Sequence, residues 1–102
     1  MSARITLTQG NINNHHFYLR DCSGLIPAGG IGGKNKRDLG QKFTVVFEPG
    51  GAIETDVAGD KMILRDRAAV RAFFEATDAR AGDVVIVTSL NTSGLKVQLE
   101  TS

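Results

Sequence analysis

Residues 59–87 read GDKMILRDRAAVRAFFEATDARAGDVVIV, and they decide the fold class. Met62, Ile63 and Leu64 supply a short apolar strand. Val70, Phe73, Phe74 and Thr77 then fall at i, i+3, i+4 and i+7, the spacing of one helical face. Asp66 stands just ahead of that face, where a carboxylate accepts from the unpaired first-turn N–H groups and favours the helix dipole. Ala81-Gly82-Asp83 is a turn, and Val84 to Val87 is a β-branched run of strand length. Strand, short helix, tight turn and strand follow one another with no slack, so the expected scaffold is strands with a helical plug.

Working outward, the flanks are strand after strand. RITLT (residues 4–8) alternates Ile5 and Leu7 with polar neighbours, and HFYLR (residues 16–20) resumes the extended pattern. Phe43, Val45 and Phe47 share one face of KFTVVFE, and Pro49-Gly50-Gly51 turns that strand into residues 52–57. A strand over residues 61–64 precedes the helix. Downstream, residues 84–90 and 95–101 form a hairpin around Asn91-Thr92-Ser93-Gly94, with Leu95, Val97 and Leu99 inward. The expectation is a single domain over residues 1–102, mainly β, with about seven short strands and one or two short helices. That count and turn spacing suit a small barrel or sandwich.

A chain of 102 residues is large enough to bury a core without metal or disulfide. The lone Cys22 rules out an intramolecular disulfide, and its expected role is buried filler. With no apolar run near the ~20 residues that span a bilayer and no signal-like start, the expected compartment is the cytoplasm. The net charge of +1 hides an asymmetry. Residues 1–42 carry six basic groups against two acidic ones, for +4, whereas residues 43–102 carry six against nine, for −3. Charge polarised in this way suits a polyanionic partner.

Two loops carry the candidate chemistry. Gln9, Asn11, Asn13 and Asn14 crowd residues 9–15, a run poor in both strand and helix propensity. Asn and Gly make plain turns, yet these amides are also the groups that pair with base edges and phosphates, and both readings stand. His15 and His16 are a poor metal pair, because neighbours on a strand point to opposite faces and no further His or Cys sits at ligand spacing. Contact with a base or phosphate, or simple exposure, suits them better. The second loop, GGIGGKNK (residues 29–36), fails the phosphate-loop pattern twice, at Ala28 and at Asn35. Its glycines beside Lys34, Lys36 and Arg37 either admit phosphate or form a surface loop with solvated lysines.

Catalytic signatures are absent from the sequence. Glu54 and Asp56 share a strand face, where paired carboxylates are ordinarily solvated charge. The positions two before Lys34, Lys36, Lys42, Lys61 and Lys96 are Gly32, Lys34, Gly40, Gly59 and Gly94, so none offers the acidic residue of a nuclease core. No Gly-x-Ser-x-Gly elbow occurs. The chain reads as a binder that needs no cofactor.

The order strand, amide loop, strand, hairpin, strand–helix–AGD–strand resembles the B3-type DNA-binding pseudobarrel. It is most similar to the C-terminal domains of the phospholipase-D-like restriction enzymes (the BfiI and NgoFVII type). The likeness to the EcoRII N-terminal domain and to plant B3 transcription factors is more distant. LTQGNINNHHFYL (7–19), GGIGGKNK, TDVAGDKMILRDR (55–67) and FFEATDARAGDVV (73–85) carry the resemblance.

The resemblance implies a seven-stranded open barrel that grips the major groove of double-stranded DNA with two arms. One arm is residues 9–16, with Gln9, Asn11, Asn13, Asn14, His15 and His16. The other is residues 58–62, with Asp60 and Lys61, flanked by Thr55, Asp56, Arg65 and Arg67; Lys34, Asn35 and Lys36 add the basic loop. Amides pair with adenine, Lys and Arg with guanine, and Asp accepts from cytosine, each worth about 1–3 kcal/mol of discrimination. Arg65 and Arg67 are the expected phosphate holders. The resemblance further implies a nuclease partner, fused or associated, with catalysis outside these residues. The alternative expectation is a non-catalytic protein-interaction barrel of a DNA-processing system.

Overall fold

Alternating burial along four long strands builds the core. In a computed structural model, which describes residues 1–35, 37–90 and 93–100, the chain is mainly β, with eight strands in two sheets. The strands are β1 (Ser2–Thr6), β2 (Ile31–Gly32), β3 (Phe43–Glu48), β4 (Ala52–Thr55), β5 (Val57–Ala58), β6 (Ile63–Leu64), β7 (Val84–Leu90) and β8 (Gly94–Leu99). Two α-helices, α1 (Gln9–Asn14) and α2 (Arg67–Thr77), and a 3-10 helix over Arg20–Leu25 complete the fold.

The larger sheet has the order β1-β7-β8-β3-β4. β3 and β8 run parallel with Val45 opposite Leu95 and Phe47 opposite Val97, and the other pairs are antiparallel. Phe43, Val45, Phe47, Val85, Val87, Leu95 and Val97 are all buried, so the two-residue period puts one continuous apolar face inward. The smaller sheet, β2-β5-β6, has strands of only two residues, and β2 pairs with β5 in parallel. The eighth strand and the second sheet correct the expected count of seven.

Helix α2 follows its pattern. Asp66 caps it by accepting from the Ala69 N–H at 3.1 Å, and Val70, Phe73 and Phe74 are buried. The Phe73 ring lies 5.4 Å from that of Phe47 on β3 and 6.1 Å from that of Phe74, which meets Phe17 at 6.4 Å. Aromatic pairs at these separations add to the simple burial of area. Cys22 is buried with the core.

Several local expectations give way. The amide run is helix α1 rather than a loop: Thr8 and Asn11 exchange side-chain bonds with each other's N–H groups at 3.1 and 2.9 Å, a full capping box. Leu7 and Ile12 stand at the positions of a hydrophobic staple, Leu7 in the core and Ile12 packed against it. Two apolar anchors and a cap thus outweigh poor propensity. Residues 16–20 are not a strand, because no neighbouring strand pairs with them; the Leu19 N–H goes to the Met62 carbonyl at 2.7 Å, and the chain then coils into the 3-10 helix. The expected strand over residues 52–57 breaks at Asp56, which turns inward and hands β5 to the second sheet. The strand expected over residues 61–64 shrinks to Ile63–Leu64, with Met62 at a φ of 58° in the preceding turn. Lys36, the Asn91-Thr92 half of the final turn and Thr101 lie outside the described residues. Among the described residues no helix is long and apolar enough to cross a membrane.

Candidate nucleic-acid interface

Helix α1 offers its amides in order. Gln9 and Asn13, one turn apart, are exposed and joined by a 3.0 Å bond from Gln9 Nε2 to Asn13 Oδ1. Asn14 is exposed and donates to the Gly10 carbonyl. Asn11 is buried, its side chain taken up by the cap, so the set of base-reading amides shortens to three. His15 ends the helix in the left-handed region at a φ of 55°, half-buried.

The second element meets the first through an arginine. Arg67, at the start of α2, donates from Nη2 and Nε to the Asn14 carbonyl at 2.7 and 3.1 Å. His16 is buried beneath this junction. Burial lowers its pKa, and the positive charges of Arg67 and Lys61 lower it further. The Leu19 N–H bond to the Met62 carbonyl holds the turn that carries Lys61 against the segment that follows α1. Asp60 and Lys61 are both exposed in the turn between β5 and β6. Tyr18 and Arg20, outside the expected arms, extend the strip: the His16 and Tyr18 rings lie 5.0 Å apart, and the Arg20 guanidinium sits 4.5 Å over the Tyr18 ring. The alternation of HFYLR, which places residues 16, 18 and 20 on one side, was the available signal.

The glycine loop reaches the same region from the other side of the turn. The Gly59 N–H donates to the Gly32 carbonyl at 3.0 Å, and a β-carbon on Gly59 would stand 2.3 Å from that oxygen. At Gly32 a β-carbon would collide with the Gly40 nitrogen and with Asp56 Oδ2. These glycines allow backbone segments to cross over a buried carboxylate. Lys34 and Asn35 are exposed on it.

Asp56 and Thr55 are buried, which corrects the picture of Glu54 and Asp56 on an open strand face. Asp56 accepts from Arg65 Nε at 2.7 Å and Nη2 at 3.1 Å, a bidentate pair. Burial pushes the Asp56 pKa up, but the Arg65 hydrogen bonds, the Gly40 N–H and the Arg65 charge outweigh it and hold the carboxyl below its usual range.

Ion pairing sorts the cations. Among the described residues Arg4, Arg65, Arg71, Arg80 and Lys96 have carboxylate partners, whereas Arg20, Lys34, Arg37, Lys42, Lys61 and Arg67 have none. All four exposed cations named on this strip — Arg20, Lys34, Lys61 and Arg67 — belong to the second group. Among the described residues no group of three or more His, Cys, Asp or Glu side chains is placed to hold a metal ion. Compared with known proteins, the chain matches no family model, no curated protein and no solved structure.

Proposed function

We propose that this chain binds double-stranded DNA sequence-specifically, α1 and the Asp60-Lys61 turn entering the major groove as two arms of a B3-like open barrel. In this reading it is the recognition domain of a restriction endonuclease or a stand-alone relative, and cutting belongs to a nuclease elsewhere. The observation that carries the reading is the junction of the two arms: Arg67 bonds the Asn14 carbonyl at the end of α1, and the Leu19 N–H holds Met62, next to Lys61, so that amides and carboxylate-free cations come together. Gln9 and Asn13 supply base-edge donors and acceptors, Lys61 a guanine contact, Asp60 a cytosine acceptor, and Arg20 and Arg67 phosphate contacts. A shallow apolar groove between the Pro49-Gly50-Gly51 turn and Ala72 and Ala76 of α2 favours the second reading, a protein-interaction barrel.

Selection of duplexes from a random library, followed by anisotropy titration, separates the two. The logarithm of affinity should fall linearly with that of salt, at about −0.9 per phosphate neutralised, and so at about −5 if the six cations without carboxylate partners among the described residues all take part. Lys61→Ala and Asn13→Ala should each weaken the cognate duplex by roughly 5- to 150-fold and an unrelated duplex less. Equal binding to duplex and to an unrelated polyanion would sink the specificity.

His16 adds a pH dependence. Burial is the largest cause of the depressed His16 pKa and the charges of Lys61 and Arg67 add to it; phosphates beside those two cations offset the charges, so binding takes up a proton and tightens as pH falls below the ordinary histidine range. His16→Gln should flatten the part of the affinity–pH curve that wild type shows below the ordinary histidine range. A curve unchanged by the substitution would place the phosphates away from His16.

A further inference from the structure

Over residues 33–40 the chain leaves the small sheet and returns, and both limbs of this excursion are tied to one buried ion pair. Asp56 is 1% exposed. Beyond its two bonds from Arg65, its Oδ2 accepts from the Gly40 N–H at 2.7 Å, on the returning limb. The guanidinium turns its other donors to the outgoing limb, Nη2 to the Gly33 carbonyl at 2.8 Å and Nη1 to the Asn35 carbonyl at 3.4 Å. The Gly33 N–H closes the neck by donating to the Asp38 carbonyl at 2.6 Å. Lys34 and Arg37 are left exposed at the tip, with no carboxylate partner among the described residues.

We propose that Asp56 and Arg65 are positioning residues: they preset residues 33–35 and 37–40 as a third DNA-contacting element beside the two arms and do not touch DNA themselves. This rests on the DNA-binding reading above. The side chains are already engaged, at 2% and 17% exposure, and a phosphate would have to pull the guanidinium from a partner held out of water. What the pair supplies is order. A loop pinned at both limbs before contact loses little freedom when Lys34 meets a phosphate, and that saving is the general source of preorganised affinity.

The test couples the clamp to the tip. Duplex affinity is measured for wild type, Arg65→Lys and the paired variant Asp56→Asn/Arg65→Met, each with and without Lys34→Ala. Amide exchange at Gly33 and Gly40 is followed in the free proteins. The paired variant leaves no lone buried charge and is the one expected to stay folded. Lys34→Ala should weaken wild type several-fold on any duplex. It should cost the paired variant much less, while the Gly33 and Gly40 amides of that variant exchange faster. Arg65→Lys retains the charge without the second set of donors and should fall between. Losses that add to within about twofold would overturn the proposal, as would faster exchange with unchanged affinity. A wild-type chain that binds no duplex removes the DNA reading and this inference together; one that binds with additive losses removes the inference alone.

Discussion

Phe73→Ala should lower the stability of this domain by about 3–5 kcal/mol, the usual cost of truncating a buried phenylalanine. Phe73 is 2% exposed and its ring touches both the Phe47 ring of β3 and its neighbour Phe74. The substitution takes the central member from a chain of aromatic contacts that ties α2 to the larger sheet. Small domains hold about 5–15 kcal/mol in total, so a large share of the margin is at stake. Urea denaturation should show a lower midpoint at an unchanged slope. Ala72→Ser, one position earlier and exposed, should stay within about 0.5 kcal/mol. A loss below about 1 kcal/mol at Phe73 would mean that the helix packs elsewhere.

The second large effect is at Asp56. Asp56→Ala leaves the Arg65 charge without its carboxylate and the Gly40 N–H without its acceptor, and breaking a buried pair from one side costs about 3–5 kcal/mol. The wild-type contribution depends on pH in a definite direction. The folded-state carboxyl titrates below its unfolded value of about 3.9, so the unfolded chain binds the proton first as acid is added. The stabilisation is therefore complete above about pH 4 and is lost as pH falls through the depressed folded value. Denaturation curves between about pH 6 and 2 should show this acid-labile component in wild type and lack it in Asp56→Asn. Parallel stability–pH curves for the two proteins would contradict the assignment.

How far the sequence could be read follows from the range of the interactions involved. α2 was legible because its cap, apolar face and following turn all lie within about eighteen consecutive residues, and each expected feature recurs in the structure. β3, β7 and β8 were legible for the same reason, their alternation being written in consecutive residues. Helix α1 runs against the propensity of its residues, and its one local signal in the sequence is the Thr8–Asn11 box. Asp56 and Arg65 were grouped as flanks of one arm, and their nearness to each other in sequence carried no hint of a clamp. Gly40, which donates to Asp56, and Gly33 and Asn35, which accept from Arg65, lie 16 to 32 residues away from their partners.

By itself, then, the sequence determined that the chain is mainly β, that one amphipathic helix precedes an Ala-Gly-Asp turn, and that positive charge gathers toward its first 42 residues. Tertiary structure alone decided which polar groups remain available. Burial withdrew Asn11, His16, Thr55 and Asp56 and engaged Arg65, while Tyr18 and Arg20 joined the exposed strip. The division has a physical cause: periodicity is a property of neighbours along the chain, whereas desolvation depends on what the rest of the chain packs on top.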